Sequence, residues 1–230
     1  MSRYVWCEDS GSGFQFWRAV FSVIDDDIIV QSKGNNTRLR QAAEAIEADG
    51  NQYFIIMDSA IDNADVLREL KQLRRGIAGK KNVKVINILS FEYVLLSFKS
   101  LEDWIFAEND SLKARKADIL DVRRSFIEIQ EKGGDAGSLD KLKEHMHYSE
   151  STNTEQFSAK LLLAVTRHTG FETGKGYLGT CFVSDCCSLK KRRQYDVCGL
   201  DDKRMASCEK VQDIIEFSVL KQAFRKVGLI

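Results

Sequence analysis

The stretch Tyr53-Phe54-Ile55-Ile56-Met57-Asp58-Ser59-Ala60-Ile61-Asp62-Asn63 constrains this chain more than any other. Its opening run of apolar residues has the pattern of a strand buried on both faces, as in a parallel sheet. The run ends in Asp58, and Asp62 follows just before an amphipathic segment from Ala64 to Ile77. Within that segment Leu67, Leu70 and Leu73 recur at helical spacing. In an open α/β sheet, ligand-handling groups gather beyond the carboxyl ends of the strands, so both aspartates fall on the productive edge. One acid at such a place is ordinarily a helix cap. Two begin to describe a metal site.

The same order recurs along the first hundred residues. Arg3 to Cys7 reads as a strand that stops at Glu8, and Asp9-Ser10-Gly11-Ser12-Gly13 allows a tight turn, with Ser12 as a cap, into an apolar helix from Phe14 to Ile24. Ile28 to Val30 is a second strand. It leads through Ser32-Lys33-Gly34-Asn35-Asn36 into a helix from about Thr37 to Glu47. That loop lies on the productive edge, where Lys33 or its amides could hold a phosphate. Asn82 to Leu89 is a fourth strand, ending at Ser90-Phe91-Glu92 before a helix from Tyr93 to Phe98. Glu92 is thus a third acid at one edge, although an acid in a first helical turn is also what the helix dipole favours. The acidic turn Asp25-Asp26-Asp27 precedes its strand and belongs to the opposite edge, as a solvated turn. Strands alternating with helices imply right-handed crossovers and a parallel sheet of about four strands, flanked by helices.

From Leu101 onward the strand signal fades. Helices are expected over Leu112–Glu131, Leu139–His147, Glu155–Thr169 (with Leu161, Leu162, Leu163 and Val165 as core) and Val211–Val227. The expected division is an α/β domain over 1–108 and a mostly helical region over 109–230.

At 230 residues and 43% hydrophobic, the composition is that of a folded globular chain. Lysine plus arginine equals aspartate plus glutamate at 34 each. Any attraction to nucleic acid must therefore be local. No apolar run is long enough to span a bilayer, and the N-terminus lacks a signal peptide's layout. The expectation is a cytoplasmic protein with no membrane partner.

Five of the six cysteines crowd the last quarter. Cys181, Cys186, Cys187 and Cys198 are candidate ligands for a structural Zn²⁺, with Cys208 and His168 in reserve. The alternative is that they are small buried apolar residues. Lys190, Lys191, Arg192 and Arg193 form the strongest cationic run. With Lys175 between two glycines, they are candidates for gripping a phosphate backbone.

With these residues placed, roughly residues 1 to 100 resemble a Toprim domain, the metal-dependent fold of topoisomerases, DnaG-type primases and nucleases of the overcoming-lysogenization-defect type. The resemblance rests on Trp6-Cys7-Glu8 with its small-residue turn, the Ser32–Asn36 loop, the acidic end of the third strand and Ser90-Phe91-Glu92. It implies a Toprim-like catalytic domain and a nuclease acting on DNA or RNA, transfer RNA included. Mg²⁺ or Mn²⁺ would be held by Glu8, Asp58 and Asp62, with Glu92 as a further candidate. Glu8 would be a further ligand or a general base. The resemblance further implies a toxic effector of anti-phage defence beside a sensor ATPase, with homodimer formation open. Two departures stand out. Asp9 follows Glu8 where the family has glycine, and Ala60 stands where the family's second aspartate would fall. A degenerate module that binds a partner protein or nucleic acid without cutting is the alternative. A flavodoxin-like phosphotransfer domain is a weaker one, for no fifth strand carries the lysine it needs.

Overall fold

A computed structural model describes residues 1–60, 62–106, 109–133, 135–169, 171 and 206–230. The alternating half runs β1 (Arg3–Cys7), α1 (Ser12–Ile24), β2 (Ile28–Ser32), α2 (Asn36–Glu44), β3 (Gln52–Asp58), α3 (Ala64–Gly76), β4 (Val83–Ile88) and α4 (Phe91–Ser97). Among the described residues only helices follow: α5 (Leu101–Phe106), α6 (Asp110–Arg115), α7 (Ala117–Glu131), α8 (Ala136–His145), α9 (Thr154–Thr166), α10 (Ser207–Phe217) and α11 (Leu220–Val227).

The strands form one parallel sheet in the order β2-β1-β3-β4. The fold is α/β and Rossmann-like, with a helical carboxyl region. From β1 the chain first adds β2 on one side, then crosses back to lay β3 on the other. The sheet's topological switch point therefore lies between β1 and β3, where open α/β sheets form their ligand crevice.

Both faces of the sheet are buried. Alternate residues of β3 divide between them, as strand periodicity requires. Tyr53, Ile55 and Met57 meet Leu39 and Ala43 of α2 and Leu70 and Leu73 of α3. Phe54 and Ile56 join the larger core on the other face, with Phe16, Trp17 and Val20 of α1. That core continues without a break through Phe126 of α7, Phe157 and Leu161 of α9, Ile214 of α10 and Phe224 of α11. The change near residue 108 is therefore one of architecture, while the apolar core is shared. Carboxyl-terminal residues return to the first half: α10 packs on α1, and α11 lies along β4.

Several local expectations shift. Ser12 is the first residue of α1, and Gly11 takes the cap position with no side-chain bond. The line α3 presents to the core is Val66, Leu70 and Leu73, while Leu67 is 40% exposed. Likewise Leu163 of α9 is 43% exposed beside buried Leu161, Leu162 and Val165. In both cases a helical turn of 3.6 residues leaves room for only part of a leucine-rich run on the buried face.

The long helices expected over 112–131 and 211–227 are each two. Lys116 separates α6 from α7 and is itself buried. Ser218 is extended between α10 and α11, and its hydroxyl accepts the Leu220 amide at 3.2 Å. The turn at Asp25 does lie at the amino edge of the sheet, where Asp25 pairs with Arg3 at the start of β1. Among the described residues, no helix is long and apolar enough to cross a membrane.

Candidate active site

Three strand ends and one helix start supply acids to a single cleft of about 360 Å³. Glu8 directly follows β1 and Asp58 ends β3, so the two flank the switch point. Glu92 comes from the first turn of α4, beyond β4. Asp9 and Glu155 complete the acidic lining, and Phe91, packed on Phe16 with ring centroids 5.8 Å apart, is its apolar member.

The carboxyls from the α/β half have specific neighbours. Glu8 and Asp58 lie within hydrogen-bonding reach of each other, and the Asn36 side chain, at the start of α2, is near enough to Glu8 to lower its proton affinity slightly. Ser90 is buried and caps α4 by accepting the Tyr93 amide at 3.2 Å, and from beside Glu92 it favours that carboxyl's charged form. Asp9 accepts from the Trp17 indole Nε1 at 2.9 Å. That arrangement requires glycine at position 13. A Cβ there would stand 2.2 Å from an Asp9 carboxylate oxygen.

The electrostatics are one-sided. Burial pushes the Glu8 carboxyl above its ordinary range, with Asp9 and Glu155 adding to the effect. Asp58 is raised well above its usual value, first by burial and then by the charge of Glu8, so the two carboxyls hold their protons as a coupled pair. Glu92 is pushed up to about 7, mainly by burial. Asp9 and Glu155 are raised for the same leading reason. No cationic side chain is among the described residues lining the cleft. Neighbouring Cys7 is buried, and its thiol is pushed up to about 12 by burial and by the charge of Asp9, so it is not a nucleophile.

No protein-family model, curated protein or solved structure matches the chain. The site is therefore read from its own chemistry.

Crowded carboxyls with raised proton affinity are a donor set of hard oxygens, which suits Mg²⁺ or Mn²⁺ far better than a thiophilic ion. Among the described residues, no three acid, histidine or cysteine side chains already stand as a cage for an ion. Mg²⁺ does not need one, since it keeps several waters and is commonly bound by one or two carboxylates plus substrate phosphate. The Glu8–Asp58 pair meets that requirement.

Other expected residues are placed elsewhere. Asp62 is absent from the cleft lining, and both its carboxylate oxygens accept the Thr154 amide, at 3.0 and 2.8 Å. Ala60, where the family pattern has an acid, is fully buried in the core, where an unpaired charge would be strongly disfavoured. Lys33 sits with its ammonium 3.8 Å from the Trp6 ring centroid and donates to Gln31 Oε1 at 3.0 Å. Lys175, Lys190, Lys191, Arg192, Arg193, Cys181, Cys186, Cys187 and Cys198 lie outside the described residues. Two lining acids were missed in the sequence. Asp9 could have been found from its place beside Glu8. Glu155 carries only the signature of an acid in a first helical turn.

Proposed function

We propose that this chain is a metal-dependent nuclease that hydrolyses phosphodiester bonds in DNA or RNA. The observation that carries the reading is the convergence of Glu8, Asp58 and Glu92, from three strand ends, in one cleft at the sheet's switch point. The resemblance of the first hundred residues to Toprim nucleases supports it. In this reading Glu8 and Asp58 hold Mg²⁺ or Mn²⁺, with Glu92 as a further ligand or as the base that takes a proton from the attacking water. A bound divalent cation would neutralise the charge that develops on the phosphoryl oxygens. It would also let a polyanion approach a cleft whose described lining is acidic. Ser90 and Asn36 stand beside Glu92 and Glu8 and favour their charged forms. The Lys190–Arg193 run and Lys175 are the proposed grip on the phosphate backbone, and a structural Zn²⁺ on the nearby cysteines is part of the same proposal. An effector role in anti-phage defence beside a sensor ATPase rests on the resemblance alone.

A second reading, a module of this fold that binds without cutting, is favoured by one observation. The aspartate that should accompany Asp58 is engaged with Thr154. The test is cleavage of plasmid, single-stranded DNA and total transfer RNA with Mg²⁺ or Mn²⁺, against EDTA. Glu8→Gln and Asp58→Asn are each expected to lower cleavage at least about 100-fold. Failure to cut any substrate, with a sensor partner also supplied, would favour the binding module.

A further inference from the structure

The loop after β3 is pinned on three sides. Asp58 ends the strand, Ala60 is buried in the core, and the Asn63 side chain caps α3 by accepting the Asp65 and Val66 amides. Between the last two, Asp62 reaches 92 positions along the chain to the first residue of α9. The amides of a helix's first turn have no partners inside the helix. At α9 two side chains supply acceptors: Asn153 takes the Gln156 amide in a capping box, and Asp62 takes that of Thr154. A carboxylate at a helix amino terminus is favoured both by charge-assisted bonding and by the helix dipole. The residue after Thr154 is Glu155, which lines the cleft.

We propose that Asp62 is a positioning residue, which docks the start of α9 so that Glu155 stands in the acidic cleft as an outer carboxylate for the bound divalent cation. The inference rests on reading the cleft as a Mg²⁺ or Mn²⁺ site. It replaces Asp62 as a direct ligand with a helical-region acid held in place by Asp62. Glu155 acts on the strand-end acids electrostatically: its charge contributes to raising Glu8, Asp58 and Glu92 alike. Ser158, buried one turn on, bonds back to the Thr154 carbonyl at 2.9 Å, and Phe157 and Leu161 anchor the helix in the shared core. The first turn of α9 therefore has a rigid body behind it and, among the described residues, the Asp62 carboxylate as its polar tie to the loop after β3.

The experiment measures Mn²⁺ affinity by calorimetry and amide hydrogen exchange over residues 154–157, in the full chain and five variants. Glu155→Gln is expected to weaken Mn²⁺ binding about tenfold, the size of effect outer residues have on metal sites. Asp62→Ala should weaken it equally and speed exchange at Thr154. Asp62→Asn, whose amide oxygen still accepts that hydrogen bond, should stay within about twofold of wild type in both measurements. The double variant Asp62→Ala/Glu155→Gln should bind no worse than either single one, because both act through one group. Asp58→Asn, the direct-ligand control, should lose the most. An Asp62→Asn loss as large as that of Asp58→Asn would overturn the proposal and make Asp62 a ligand. Unchanged affinity and exchange in Asp62→Ala would also overturn it. No Mn²⁺ binding by wild type would overturn the metal reading and Glu155's role with it, and the exchange comparison would then report on the docking of α9 alone.

Discussion

Buried charge is treated in opposite ways at the carboxyl ends of the helices and at the carboxyl edge of the sheet. Arg123 of α7, 5% exposed, donates to the carbonyls of Leu96 and Phe98 at the end of α4, each at 2.8 Å, and pairs with Glu102 at 3.0 Å. Lys116 donates to the carbonyls of Ala164 and Val165 in the last turn of α9, at 2.6 and 3.1 Å. Lys84 donates to the Val227 carbonyl at the end of α11, at 2.7 Å. Each cation meets carbonyls at a helix end, where backbone acceptors outnumber the donors within the helix, so both sides are satisfied. In the cleft, five carboxyls are brought together, and no cation is among the described residues that line it. Charges that serve the fold are neutralised on the spot. Charges left uncompensated and raised in proton affinity mark a place kept for a ligand, at some loss of stability.

Arg123→Ala breaks the contrast from the structural side, and most severely. It strands the Leu96 carbonyl and removes one of two partners from the Phe98 carbonyl, which keeps the Leu101 amide, and from Glu102, which keeps Lys113. It is expected to destabilise by about 2–4 kcal/mol, lowering the melting temperature by roughly 5–10 °C. Glu92→Gln tests the other side and should have the opposite sign. With its carboxyl raised from 4.5 to about 7 by folding, Glu92 contributes stability at low pH that disappears as pH rises through 7. The metal-free protein should therefore lose stability between about pH 5 and 8. Glu92→Gln should remove Glu92's share of that loss, gaining on the order of 3 kcal/mol at pH 8 in denaturant titrations, while the other raised carboxyls of the cleft keep theirs. A flat wild-type profile, or a destabilised variant, would remove the idea that the cleft is strained. Gly13→Ala should be smaller, about 1–2 kcal/mol, because Asp9 must move off the new methyl and loosen from Trp17. Trp17→Phe, which keeps most of the ring but deletes the donor to Asp9, should cost about 1 kcal/mol in the same titrations.

The alternation of elements was legible because each carries its own period. Residues 53–57 announce a two-sided strand, and the acids at or beyond the ends of β1, β3 and β4 follow from position alone. Glu8, Asp58 and Glu92 could be placed at one edge for that reason. The breaks at Lys116 and Ser218 were not legible. Lys116 looks like any charged residue of an amphipathic helix, and its role as donor to the end of α9 exists only once α9 is packed beside it. Leu67 and Leu163 misled for a related reason, since a helix rich in leucine does not say which line of it finds a partner.

Asp62 shows the limit most clearly. By sequence it is the second acid of a strand-end pair, and nothing local distinguishes a metal ligand from a helix cap. Its partner is an amide 92 residues away. Local periodicity and the chemistry of strand ends determined the parallel α/β sheet and the edge on which its acids stand. The strand order that puts Glu8 beside Asp58, and the docking of α9 that adds Glu155 and occupies Asp62, were decided by tertiary packing, because contacts between distant segments leave no period in the chain.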